Sequence, residues 1–269
     1  MYKSLMFLAV AAISAVAHGQ HEPGNADGQY LAQAIYDRHA SSGRVGMMHF
    51  RLTNKRGRTR ERIALLAHSD TDELTRIAIF FTSPAAIQNT AFLSHDHDQG
   101  DDDSWLYLPA TDRVRRLPSS ERGDAFMGTD LSYGDIRDNF RFPLEHWQFQ
   151  AGDQVNHEGQ ELRILKGEAR SEASAREMGY ARFEALVDET SLFPVVIEYF
   201  DHHDKPLKRV TVSEIGLVGE AWTALAFEVM QHQTGHRTEV FFEDMRYVPD
   251  LNEQIFMPAA LADGVPRIP

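Results

Sequence analysis

The densest run of side chains capable of chemistry is Ser94-His95-Asp96-His97-Asp98-Gln99-Gly100-Asp101-Asp102-Asp103. Imidazole and carboxylate ligands together suit a divalent cation, so His95, Asp96, His97 and Asp98 form a candidate metal set. Calcium-loop spacing is not met, because counting from Asp96 puts Asp101 where Gly is needed and Tyr107 where Glu is needed. The same run also reads as a solvated hairpin tip between the strand-like segments Thr90–Ser94 and Ser104–Leu108. Asp201-His202-His203-Asp204-Lys205, ahead of Pro206, has the composition of a hairpin turn. His157-Glu158-Gly159-Gln160-Glu161 opens like a zinc-protease helix, but Glu161 stands where the second His belongs and Gly159 interrupts it. No nucleophile elbow, dinucleotide fingerprint or P-loop is present. The absence of Cys removes thiol catalysis, Cys-ligated zinc, iron–sulfur clusters and disulfides. Titratable residues therefore leave one enzymatic alternative, a metal-dependent hydrolase or metal-binding envelope protein using the His/Asp-rich turns. No other cofactor is expected.

The cations fall into two runs. Arg51, Lys55, Arg56, Arg58, Arg60 and Arg62 bracket the first expected hairpin, where they serve as a charged edge or as a docking face for anionic partners. In Arg113-Val114-Arg115-Arg116-Leu117, strand alternation turns at least one arginine toward a covered face, where it requires a carboxylate or backbone carbonyls. The whole chain has 27 Lys+Arg against 40 Asp+Glu, a net charge of -13, which opposes binding to nucleic acid.

Lys3, the apolar stretch Leu5–Ala17 and the small residues Ala15, Ala17 and Gly19 have the order of a cleaved secretory leader, expected over residues 1–19. That stretch is too short to span a bilayer, and nothing later is longer. The expectation is a soluble exported protein without a lipoprotein cysteine, with residues 20–269 as a single domain.

The elements that must position these residues are mostly strands. Asp27 is placed to cap one opening helix, in which Tyr30, Leu31, Ala34 and Ile35 recur at helical spacing. From Val45 onward, short Val/Ile/Phe/Tyr/Thr runs alternate with turn clusters, the pattern of an antiparallel meander. Ile77, Ile79 and Phe81 alternate with Ala78 and Phe80, and Val195, Ile197 and Tyr199 with Val196 and Phe200, so both strand faces are apolar and both need cover. The opening helix is one expected cover. The other is the Gly-punctuated segment from Pro118 to Phe142, which reads as a lid or as a long packed loop.

Trp105-Leu106-Tyr107-Leu108-Pro109, the arginine run after it, and Phe126-Met127-Gly128-Thr129-Asp130-Leu131-Ser132-Tyr133-Gly134-Asp135 together resemble the LolA-like family of outer-membrane lipoprotein-sorting proteins. Ser83-Pro84-Ala85 with Thr90–Leu93, Tyr199–Lys208 with Val210-Thr211-Val212, His236-Arg237-Thr238 and Phe256–Leu261 extend the resemblance over most of the chain from Val45 to Leu261. The resemblance implies a mainly β fold with a helical lid (α+β), a strongly curved, incompletely closed antiparallel β-barrel of LolA/LolB type. It implies a non-enzymatic periplasmic carrier or chaperone that binds lipid or lipoprotein acyl chains in an apolar cavity and shuttles them between inner and outer membrane. An inner-membrane RND-type transporter and an outer-membrane acceptor are the implied partners. Phe81, Phe92, Trp105, Tyr107, Phe126, Met127, Leu131 and Tyr133 are candidate lining or lid residues, each equally at home in a plain core. The family's lid is tied by an arginine to backbone carbonyls, a role open here to Arg76 and Arg115.

Overall fold

Two strand meanders meet in the middle of one antiparallel sheet. A computed structural model describes residues 25–38, 43–71, 74–97 and 102–268, so the expected leader and Asp98 lie outside the described residues. The first meander is β1 (Arg44–Thr53), β2 (Thr59–Asp70), β3 (Leu74–Ser83), β4 (Ala91–His97), β5 (Asp103–Leu108) and β6 (Arg113–Leu117). The second is β7 (Trp147–His157), β8 (Gln160–Ala169), β9 (Arg182–Asp188), β10 (Phe193–Phe200), β11 (Pro206–Val218), β12 (Ala221–Gln231) and β13 (His236–Tyr247). Pairing of β1 with β13 joins them into a 13-stranded sheet whose two outermost strands, β6 and β7, do not pair with each other.

A sheet this wide curls. Register shifts at Val45/Met47, Pro194/Val196 and Val212/Glu214 add local bends. The curl is evident in the core, where Leu106 of β5, Phe50 of β1, Phe227 of β12 and Phe183 of β9 belong to one buried cluster despite their spread along the sheet. The expected curved, unclosed antiparallel fold is therefore the observed one.

Alternation sorts each strand between two apolar faces. Ile77, Ile79, Phe81 and Phe92 point to the concave side, while Ala78, Phe80, Ala91 and Leu93 point to the convex side, and all are buried. The convex cover differs from the expected one. Beyond β13 the chain turns back, and two 3-10 turns, Glu253–Phe256 and Pro258–Asp263, lay Ile255, Phe256 and Leu261 on the convex side of β3 to β5. The opening helix α1 (Ala26–Tyr36) instead packs against β7 and β8, adding Leu31, Ala32 and Ile35 to the concave core.

The cap of α1 is Asn25 rather than Asp27, for a tertiary reason. Asn25 Oδ1 accepts from Gly28 N at 2.6 Å and from Ala151 N at 3.0 Å, so one amide caps the helix and satisfies the edge strand β7. Tyr30, placed by its spacing on the packed face, is 79% exposed. The helix lies so close to β7 that a Cβ on Gly28 would stand 2.6 Å from Ala151 N. Two further short helices are α2 (Tyr133–Asp138) and α3 (Glu172–Met178).

If the C-terminal turns belong to the cooperative core, Phe256→Ala lowers the unfolding free energy by about 3–5 kcal/mol in a urea titration. A loss below about 1 kcal/mol would show that this cover is dispensable.

Candidate functional site

Residues 118–146 leave the edge strand β6, run along the concave face and enter the opposite edge strand β7. No strand forms in this segment; it consists of the 3-10 turns Ser119–Glu121 and Phe126–Gly128, then α2 and its exit. Phe126, Leu131, Ile136 and Phe142 sink into the concave core. Phe126 is fully buried, with the rings of Phe92 and Tyr133 at 5.5 Å, Phe81 at 6.0 Å and Phe50 at 6.4 Å. This segment is thus a lid in the geometric sense, an apolar cover seated on an apolar sheet.

Polar ties hold the lid to both meanders. From the first meander, Arg62 donates to the carbonyl oxygen of Met127. Arg62 stands in phase with Ala64, Leu66 and His68 on the concave side of β2, which is why it can reach the lid. From the second meander, Lys208 of β11 is 3% exposed and ion-paired with Asp135 of α2. Asp135 also accepts from Tyr180 Oη at 2.9 Å and closes a capping box with Ser132. Burial, and then the charge of Asp135, push the Tyr180 hydroxyl well above its ordinary pKa, so it remains a donor. Asp130 Oδ2 meets His236 Nδ1 and Thr238 Oγ1 of β13, both at 2.6 Å.

A third tie joins the end of α2 to the turn between β4 and β5. Arg137 reaches Asp102 at 2.5 Å and Asp138 at 2.7 Å, and Arg122 reaches Asp138 at 3.1 Å and Glu177 at 3.4 Å. Asp96 lies beside them, hydrogen-bonded to Asp102. Burial pushes its carboxyl up to about 8, against the pull of Arg137 and with the repulsion of Asp102 and Asp138.

Between lid and sheet lies a cavity of about 90 Å³, walled by Met48, Leu66, Ile79, Ile136, Phe140 and Phe227 among others. That is room for roughly three waters. The wall also carries the guanidiniums of Arg44 and Arg141 beside the His68 imidazole, and the carboxylates of Asp135 and Asp138. Phe140 fills much of the remaining space, its ring 5.0 Å from Phe193 and 5.1 Å from Phe227. Both Asn139 and Phe140 have positive φ, 45° and 62°, a conformation that is costly for a bulky side chain.

Of the residues singled out by sequence, Phe81, Phe92, Phe126 and Leu131 meet in the concave core, with Met127 and Tyr133 packed at its margin. Trp105 and Tyr107 do not join them. Alternation on β5 sends Leu106 to the concave side and both aromatics to the convex side, beneath the C-terminal turns. Neither proposed gating arginine reaches a lid carbonyl. Arg76 faces the convex side, bonded to Ser69 Oγ and Glu253 and lying over the Phe256 ring, and Arg115 pairs with the Glu121 carboxylate at 2.9 Å. Arg62 takes that place, and its phase with the apolar positions of β2 was the available signal.

The candidate metal set is also split by alternation. His95 and His97 face the convex side, where His95 Nε2 meets Phe256 O at 2.8 Å and its ring stacks edge-on against Trp105, whereas Asp96 points to the lid arginines. Asp201 caps its own turn by accepting from His203 N and Lys205 N. Among the described residues, no group of three or more His, Asp or Glu is arranged to hold a metal ion.

A family model described as an uncharacterized protein matches residues 73–263. No curated protein matches the chain. A domain described as an outer membrane lipoprotein-sorting protein from Vibrio parahaemolyticus is 27% identical, with a TM-score of 0.79 over 88% of this chain and 98% of that one. A DUF1329 family protein from Desulfovibrio piger is 23% identical, with a TM-score of 0.79 over 87% and 98%. A LolA superfamily protein from Nitrosomonas europaea is 17% identical, with a TM-score of 0.63 over 86% and 96%.

The raised Asp96 carboxyl makes the lid anchor sensitive to pH. Its folded-state pKa lies above the ordinary 3.8, so the folded chain binds more protons between about pH 4 and 8 and loses stability as pH rises through that window. Asp96→Asn, which fixes the uncharged form, is expected to melt above the wild type at pH 8.5 and level with it near pH 4. An equal offset at both pH values would mean that Asp96 does not titrate in this range.

Proposed function

The chain belongs to the family matched over residues 73–263 and has the LolA-type fold, and from that premise we propose that it is a periplasmic carrier for the acyl chains of a lipid or lipoprotein. The observation that carries this reading is the construction of the concave face, an apolar sheet covered by a segment that is anchored to it at a few polar points. Acyl chains crossing an aqueous compartment need shielding worth about 0.8 kcal/mol per CH₂. A concave apolar surface supplies that shielding, and a cover held by Arg62 on one side and Lys208 on the other can be released without unfolding the sheet. No covalent step is required, and the role is that of a binding protein rather than an enzyme.

The cavity of about 90 Å³ is well below the ~300–1,000 Å³ typical of ligand pockets. Loading on this reading moves the lid outward, with Phe126 and Phe140 yielding their places to the acyl chain and Phe81, Phe92, Met127, Leu131 and Tyr133 in contact with it. The apolar leader expected over residues 1–19 supports export, with residues 20–269 as the mature single domain. No helix among the described residues is long and apolar enough to cross a membrane. An RND-type inner-membrane transporter and an outer-membrane acceptor complete the proposed route.

Native mass spectrometry of the protein, isolated from a periplasm without detergent, tests the reading. The expected result is an added mass that extracts into organic solvent and fragments as a lipid or acylated peptide. A bare polypeptide under the same conditions would sink the carrier assignment. Arg62→Gln removes one lid tie and is expected to speed lipid release about tenfold, equivalent to about 1.4 kcal/mol, with a melting temperature within a few degrees of the wild type.

A further inference from the structure

The guanidinium-bearing part of the cavity wall brings β1 and β2 together with the end of the lid, which contributes Arg141. Arg44, at the start of β1, is 5% exposed and lies on the cavity wall. Its guanidinium donates to Thr223 Oγ1 at 2.6 Å and meets His68 Nδ1 at 2.9 Å, while its Nε, also buried, has no acceptor among the described residues. Arg141, on the same wall, bonds Asp70 at 3.1 Å and the Arg38 carbonyl at 2.8 Å, and its Nε also lacks an acceptor among the described residues. Arg38 stands behind them, 8% exposed, bonded to the Leu192 and Asn139 carbonyls and stacked 4.4 Å from the Phe193 ring.

Among the described residues, three buried guanidiniums share one carboxylate, Asp70. Burial pulls Arg38 down to about 9 and Arg44 down to about 10, and the guanidiniums repel one another. His68 is pushed well below its ordinary value by burial and by Arg44, so it is a neutral neighbour that supplies no charge. Buried cations normally carry a matching anion, since an uncompensated one costs several kcal/mol. The two carboxylates on the cavity wall, Asp135 and Asp138, are committed to Lys208 and to Arg122 and Arg137, so among the described residues Asp70 alone answers these guanidiniums.

We propose that Arg44 and Arg141 form the binding site for the oxyanion head of an acyl lipid whose tail occupies the concave face. This deepens the carrier reading and rests on it: the cargo becomes an anionic amphiphile, with a carboxylate or phosphate beside the arginines and the tail running past Phe140 toward Ile79 and Phe227. A guanidinium with a free Nε–H on a dry wall offers a donor that either oxyanion accepts. Neutral lipids of the same length leave the two guanidiniums as they are.

Equilibrium binding of palmitate, 1-palmitoyl lysophosphatidic acid and methyl palmitate to the delipidated protein at pH 7.5 tests this. At least one anionic lipid is expected to bind ten-fold or more tightly than the ester, and which of the two leads separates a carboxylate head from a phosphate head. Arg44→Gln is expected to erase that preference while leaving the affinity for the ester within two-fold. The same variant, free of lipid, is expected to melt no lower than the wild type, because it removes an unmatched buried charge. Equal affinities of the wild type for all three ligands would overturn the oxyanion site and leave the carrier reading standing. No binding of any of them would overturn the carrier reading and the oxyanion site together. The wild-type comparison requires no variant, so a misfolded Arg44→Gln protein does not remove the test.

Discussion

The ion pair between Lys208 and Asp135 fixes where everything on the concave side lies. Lys208 belongs to the sheet and Asp135 to the lid, and both are almost wholly removed from water. A buried pair of this kind adds little net stability, but leaving either partner alone is costly, so it specifies position more than it adds strength. Asp135 is committed three ways, to its own helix cap, to Tyr180 and to Lys208. Sliding α2 by one turn would break all three contacts at once. The apolar residues on either side of it, Leu131 and Ile136, are thereby directed into the core.

The topology explains why such a clamp is needed. Pairing of β1 with β13 places the first and last strands in the middle of the sheet and leaves β6 and β7 as distant edges. The lid is the connection between those edges, and its apolar residues Phe126, Leu131, Ile136 and Phe142 carry it across the concave face. A cover anchored covalently at both ends can swing or bulge without being lost, which suits repeated opening. Its contacts divide by strength: aromatic packing around Phe126 supplies the area, and Arg62, Lys208 and Asp130 supply the register.

Period-two alternation was enough to read the strands and their two apolar faces, and the Gly-punctuated stretch from Pro118 to Phe142 stood out as a cover because it broke that alternation. Local pattern does not identify which cover lies on which face. Ile255, Phe256 and Leu261 sit in short 3-10 turns with no periodicity, so nothing in them announced the convex cover. The family resemblance offers Trp105 and Tyr107 as lining or lid residues, whereas their phase with Leu106 puts them on the other face. Arg62 was hidden among surface cations, although its phase with Ala64 and Leu66 marked it. The cluster of Arg38, Arg44, Asp70 and Arg141 assembles from four separated segments and left no local trace.

The electrostatics of the molecule run opposite inside and out. The chain carries a net charge of -13, yet beside the cavity the buried guanidiniums of Arg38, Arg44 and Arg141 share one carboxylate among the described residues, Asp70. An acidic exterior repels anionic membrane surfaces and disfavours indiscriminate adsorption of acidic lipid. An interior cation recovers the interaction only for a head group that has been carried past the lid into a region of low dielectric, where each charge contact is stronger. The closed lid carries two unfavourable terms, the unpaired Nε of buried Arg44 and the left-handed backbone of Phe140. A ligand that brings an anion to the first and displaces the ring held by the second relieves both. On the proposed oxyanion site, selectivity for an anionic head follows from the cost of the closed lid as much as from the contacts made on loading.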